Sequence, residues 1–175
     1  MNKLLAYKYS ILYLVAIMLV TILFKYYPAL ITVLEGVQFS FWTLVVGAWF
    51  VLRDYSQREL GHYVFIPMIS GIIVATIISP AMGLAQILAM GSSELADWAV
   101  YTFTKKPFHQ RILISSLVSA PIDTVIFFAA FDYFQIIPGV SIFNWATIIL
   151  ASLSKFVAAL VIYAHYHRQL KKAIV

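Results

Sequence analysis

The sequence predicts an all-α integral membrane protein: one transmembrane domain over residues 1–175, a bundle of six transmembrane helices with both termini in the cytoplasm. Three observations predict it: the composition, the spacing of apolar runs, and the side on which basic residues fall. The chain is 63% hydrophobic and only 11% charged, with a mean hydropathy of +0.92. Soluble domains run at roughly 45–50% apolar and about 25% charged. A soluble domain of this length could not bury so much apolar surface, so lipid must solvate much of it.

A helix needs about 20 mostly apolar residues to cross a bilayer. Six stretches qualify, some only with their flanks. The first runs from Tyr9 to about Tyr27. Lys3 and Lys8 precede it, as in a signal peptide, but no small-residue cleavage site follows, so the reading is an uncleaved first span. The apolar segment Ala29–Leu34 either extends that span past Pro28 or lies in the interface. The second span is about Val37–Leu52 and the third Tyr63–Ile78; both are short, so thinning of the bilayer is expected around them. Ser79-Pro80 breaks the chain, and the fourth runs from Ala81 to about Phe103. The fifth is Ile112–Phe131 and the sixth about Ile142–Tyr166.

The basic residues orient these spans. Lys3, Lys8, Arg53, Arg58, Lys105, Lys106, Arg111, Arg168, Lys171 and Lys172 all fall on one side, and the opposite loops hold only Lys25. Excess Lys and Arg mark cytoplasmic loops, which places both termini inside. An even number of spans is then required, and six is even. The net charge of +5 is accounted for in this way, without a nucleic-acid partner.

With short loops, function must reside within the bundle. A charged side chain at mid-membrane costs about 2.5–3.5 kcal/mol on insertion scales, and such residues usually face an interior cavity or pair. The fourth span carries Gln86, Ser93, Glu94, Asp97 and Tyr101, mostly three, four or seven apart and so on one helical face, with Met90 among them. The fifth carries Ser116, Ser119, Asp123 and Phe127, and also Pro121, whose missing N–H frees the carbonyl of Leu117. The sixth carries Lys155. Serines at such spacings also serve simply to let helices approach. Asp123 and Lys155 suit a structural ion pair as well as a functional one, and Asp97, near the cytoplasmic end, could simply be solvated. The segment Arg53–Gly61 reads either as a solvated turn with weak local salt bridges, closed by Gly61 as a helix breaker, or as a gate in which Arg53 and Asp54 fold back into the mouth of the bundle. Trp98 and Tyr101 adjoin the polar stripe and could stack on a planar ligand.

Several chemistries lack their motifs. There is no cysteine, no His-Glu-x-x-His, no Gly-x-Ser-x-Gly and no phosphate-binding loop. No enzyme activity, cofactor or metal is expected.

Three segments together resemble the VUT family of queuosine precursor transporters. They are Arg53-Asp54-x-x-Gln57-x-x-x-Gly61, Ser93-Glu94-Leu95-Ala96-Asp97-x-x-Val100-Tyr101, and Ile122-Asp123-Thr124-x-x-Phe127-Phe128. They stand in order and at approximate spacing, with Lys155 in the last span, and the resemblance runs from about the second span to the sixth. It implies uptake of 7-cyano-7-deazaguanine and 7-aminomethyl-7-deazaguanine across the bacterial inner membrane, for queuosine synthesis in tRNA. The chain is short for that family, and relatives of this length also occur in phages, where deazaguanines modify DNA. The resemblance puts Arg53, Asp54, Gln57, Glu94, Asp97, Asp123 and Lys155 in the candidate set. A guanine-like base presents an N–H and an amine side by side, which a carboxylate accepts; Glu94 is the expected base reader. Gln57 or Ser93 would donate to the carbonyl oxygen, and Trp98, Tyr101 or Phe127 would stack. Asp97 or Asp123 would take up a coupling proton. Six helices are few for alternating access, so a homodimer fits. The rival readings are a substrate-binding subunit of an ATP-driven importer and an ion or proton channel.

Overall fold

The computed structural model describes residues 7–28, 30–35 and 37–174, with side-chain surroundings through His165; Lys3 and the side chains of Arg168, Lys171 and Lys172 lie outside the described residues. The chain is all-α apart from one hairpin. Its elements are α1 (Lys8–Tyr26), β1 (Leu30–Leu34), β2 (Val37–Ser40), α2 (Trp42–Leu60), a 3-10 turn (Gly61–Val64), α3 (Phe65–Ile78), α4 (Pro80–Phe103), α5 (Phe108–Tyr133) and α6 (Trp145–Ile174). Among the described residues, four stretches are long and apolar enough to cross a membrane: Lys8–Tyr26, Trp42–Ile78, Phe108–Tyr133 and Trp145–His165. The second of these, at 37 residues, is nearly twice what one crossing needs. It is divided at Gly61, the C-cap of α2, whose φ of 60° only glycine adopts without strain. α4 has 24 residues, enough to cross, but its polar stripe keeps it out of that group. Large apolar side chains face outward on the helices, among them Leu19, Ile66, Ile73, Leu95, Leu117 and Leu153. With the long apolar helices, this outer face describes a membrane-embedded protein.

Local sequence explains the boundaries. Ser79 is extended, and Pro80 opens α4 at a first-turn position where its missing N–H costs nothing. Asn144 caps α6, its Oδ1 accepting from Thr147 N at 2.8 Å. The first turn of α1 is capped from a distance: Glu59 of α2 accepts from Tyr9 N at 3.1 Å and from Ser10 N at 2.9 Å. A carboxylate there meets the orphan N–H groups and the positive end of the helix dipole.

Three expectations are corrected. The segment after Pro28 does not continue the helix of the first span. Leu30–Leu34 pairs antiparallel with Val37–Ser40, because Ile31, Thr32 and Val33 are β-branched and a turn at Glu35 reverses the chain. An isolated hairpin is marginal in water. This one is tied to the helices by Ser40 Oγ on Pro28 O at 2.8 Å and by Gln38 N on Thr147 Oγ1 at 3.3 Å. The second span consequently begins at Trp42, not Val37. Lastly, Arg53–Leu60 is no turn but the last turns of α2, with Arg53, Asp54, Ser56 and Gln57 buried.

α1 packs on α2 and α3, α3 on α4, and α4 most extensively on α5, and α6 closes back on α2 as well as α5. That last contact needs Gly47: a Cβ there would collide with the backbone of Lys155. One apolar cluster joins Tyr13, Ile17, Val46, Trp49 and Met90; another joins Phe128, Phe131, Ile142 and Ile148 near the hairpin.

Candidate functional site

Buried charge gathers at two places between the helices. Toward the end where α2 finishes and α5 begins, Arg53 is fully enclosed, with no exposed surface. Its Nε donates to Glu94 Oε2 at 2.5 Å and its Nη1 to Gln57 Oε1 at 2.5 Å. The same Nη1 lies 3.3 Å from Asp54 Oδ1 and 3.0 Å from Asp97 Oδ2, and Nη2 donates to Glu94 O at 3.3 Å. Tyr13 of α1 donates its hydroxyl to Glu94 Oε1 at 3.0 Å, and Ser115 of α5 to Asp54 Oδ2 at 3.3 Å. Three carboxylates thus share one guanidinium, whose planar fork can serve several acceptors at once. The cluster ties α1, α2, α4 and α5 together. Burial of this kind is expensive unless every partner is placed, and removing one partner leaves an uncompensated charge.

The second place is about mid-bundle. Lys155 of α6 donates to Asp123 Oδ2 at 2.6 Å and to Thr124 Oγ1 at 2.9 Å, both on α5. Ser93 Oγ lies 3.4 Å from Asp123 Oδ1. Since Ser93 and Glu94 are consecutive, α4 connects the two places directly. The difference between them is space. Asp123 and Lys155 line a chamber with Phe24, Trp49, Gln86 and Phe127. The volume of this cavity is about 30 Å³. That is room for a water or two; a bicyclic ring requires the helices to part. A second, more apolar cavity lies under the hairpin and shares Phe24, Thr43 and Phe128 with the first.

The sequence-derived candidates divide accordingly. Asp123 and Phe127 line the chamber, Lys155 joins them, and Ser93 bonds to Asp123. Glu94, Asp97, Gln57, Arg53 and Asp54 belong to the sealed cluster. Both oxygens of Glu94 have partners, Arg53 and Tyr13, so in this conformation it faces a guanidinium rather than the chamber. Asp97 is buried at 2% exposure rather than solvated. Gln57 likewise binds Arg53. Arg53 and Asp54 do not fold back from a loop; they project inward from a continuous helix. Trp98 and Tyr101 are away from the chamber. The Trp98 indole donates to His62 Nδ1 at 3.1 Å, and Tyr101 lies under the Arg111 guanidinium, 4.8 Å from ring to Cζ. Pro121 and Leu117 fall on the outer face of α5, so the carbonyl freed by proline is not a chamber group.

Tyr13, Thr21, Trp49 and Ser115 were not among the candidates. A signal for the first two exists: Ser10, Tyr13, Ile17 and Thr21 fall three or four apart on α1, and all four are buried. Trp49 offers no such signal, because an indole in an apolar run looks like any packing residue. Among the described residues, no group of three or more His, Asp or Glu is arranged to hold a metal ion. Comparison of the chain with protein-family models, with curated proteins and with solved structures gives no match.

Proposed function

We propose that this chain is a membrane transporter that takes up queuosine precursors, 7-cyano-7-deazaguanine and 7-aminomethyl-7-deazaguanine, across the bacterial inner membrane. Two lines support the reading. One is the resemblance of the Arg53, Ser93–Tyr101 and Ile122–Phe128 segments to the queuosine precursor transporters. The other, which carries it, is that the Asp123–Lys155 pair, deep in apolar helices, faces a narrow chamber walled by Phe24, Trp49 and Phe127. Intramembrane charge of this kind is costly and usually marks a substrate or ion path. Aromatic walls suit a flat base, because every base has a π-face.

The topology that goes with this reading has six spans, α1 to α6, and both termini in the cytoplasm. The Arg53 cluster then sits toward the cytoplasmic side, and the hairpin covers the chamber from the opposite side. The Arg53 cluster is the inner closure, holding four helices together, and the hairpin is the outer one. A homodimer remains part of the proposal, as does proton uptake at Asp97 or Asp123 as the coupling step. The product would feed modification of tRNA, or of DNA if the chain serves a phage.

The test is binding followed by uptake. A ligand at about 100 times its dissociation constant stabilises by about 2.7 kcal/mol, so the purified protein should melt several degrees higher with a deazaguanine and unchanged with adenine. Proteoliposomes holding this chain alone should accumulate the base without ATP. Binding without such uptake would favour the importer-subunit reading, and conductance with no base-dependent stabilisation would favour a channel.

A further inference from the structure

α1 and α6 both pack on α2, with no comparable contact between them. Near the end of the bundle where α1 begins and α2 finishes, this leaves a groove of about 540 Å³ over the outer face of α2. Ligand clefts run from about 300 to 1,000 Å³. Small side chains, Ala48 and Ala158, line its inner part, and Tyr9 and Tyr55 stand at its mouth. Apart from the two tyrosine hydroxyls, the lining is apolar. Ala48, Val51, Leu52 and Tyr55 repeat three or four apart on one face of α2. They cover about 10 Å of the helix at 1.5 Å per residue.

The same stripe continues to Arg58, which is exposed. Its guanidinium lies over Phe108, with Cζ 4.9 Å from the ring centre. Phe108 meets Tyr55 edge-on at 5.0 Å, and Tyr55 meets Tyr9 at 4.7 Å between ring centres. Lys8, also exposed, closes the row, its Nζ 4.8 Å from the centre of the Tyr9 ring. The mouth of the groove is therefore a row of three rings with a cation at each end. Among the described residues, neither cation is ion-paired. The neighbouring Glu59 is spent on the first turn of α1, accepting from Tyr9 N, Ser10 N and Ser10 Oγ. A cation resting on a ring face keeps its outward N–H groups for an anion.

From this geometry we infer that the groove binds an anionic phospholipid. One acyl chain lies over α2 between α1 and α6, and the phosphate sits above Tyr9 and Tyr55, between Lys8 and Arg58. Two unpaired cations at the mouth select a negative headgroup over a neutral one. An isologous contact with a second copy would instead set this patch against itself, cation toward cation. The inference needs only the membrane-embedded fold and is independent of the transport reading.

The experiment measures retention of dioleoyl phosphatidylglycerol and dioleoyl phosphatidylcholine by the purified protein in a neutral detergent, using native mass spectrometry and thermal shift. The two lipids share their chains, so a difference between them belongs to the headgroup. Each basic residue near an anionic lipid is worth roughly five-fold, so phosphatidylglycerol should bind at least roughly 10-fold tighter. The preference should shrink in high salt. Lys8→Gln/Arg58→Gln should bring the two lipids to near-equal affinity with phosphatidylcholine binding unchanged. Ala48→Phe, which fills the groove from an exposed position, should weaken both lipids several-fold. Equal affinity for the two lipids in the wild type overturns the inference, and so does a preference indifferent to salt. A preference that survives in the double glutamine variant assigns it to other basic residues and overturns this site. Lipid binding untouched by Ala48→Phe, with a dimer falling apart instead, makes the groove a subunit seam and overturns it as well.

Discussion

The Arg53 cluster and the Asp123–Lys155 pair are built from the same kinds of residue and buried to similar depth, yet they sit in opposite kinds of surroundings. Around Arg53 one guanidinium meets three carboxylates, and four helices contribute. Around Lys155 two helices contribute, with one carboxylate and one hydroxyl as partners, and a cavity adjoins. Intramembrane charge therefore has two uses in one small bundle. It holds helices together where three carboxylates share one guanidinium, and it lines a cavity where Asp123 meets Lys155.

The largest effect should come from breaking the Arg53 cluster. Arg53→Ala leaves Asp54, Glu94 and Asp97 buried without a cation, a loss of about 3–5 kcal/mol; detergent-solubilised protein should melt far lower, or fail to accumulate. A wild-type melting curve would mean water already reaches the cluster. Next comes the close approach of α2 and α6. Gly47→Val drives two methyl groups into the Lys155 backbone and should cost about 1–3 kcal/mol as overpacking, seen in the same melting assay. The comparison sharpens with a crossed pair. Glu94→Gln should lower stability yet leave cyano-deazaguanine affinity within about three-fold, since Glu94 is outside the chamber. Trp49→Phe should lower stability by about 1 kcal/mol through the volume it removes from the core and weaken binding several-fold, since Trp49 lines the chamber. If Glu94→Gln abolishes binding in a protein that still melts normally, the division of labour is reversed. The smallest effect belongs to Glu59→Gln, which weakens the remote cap on α1 by about 1 kcal/mol, detectable as faster amide exchange at Tyr9 and Ser10.

Helix positions were legible because the apolar runs are long and their punctuation is strong: Ser79-Pro80 and Gly61 fall where the helices end. The polar stripe of α4 was legible too, since Gln86, Ser93, Glu94 and Asp97 repeat at helical spacing, and all four are buried. The hairpin was missed because Leu30–Leu34 is as apolar as the helix before it. Five residues of Leu, Ile, Thr and Val carry no helical or strand period of their own, and Pro28 was not enough to decide. The split between cluster and chamber was not readable, because it depends on which helix faces which. Arg53 stands forty-one positions from Glu94, and nothing local to either says they meet.

The touching backbones at Gly47 and Lys155 have a mechanical corollary. Two helices separated by side chains can slide, but two in direct main-chain contact, further stitched by Ser154 Oγ on Thr43 Oγ1 at 2.8 Å, behave as a single plank. Any widening that admits a ring must then be borne by the opposite wall, where α1 and α4 meet through Thr21 and Gln86. A probe pair bridging α2 and α6 would hold its distance while one bridging α2 and α4 lengthens, with the lysine carried on the stationary half and the glutamine on the half that swings.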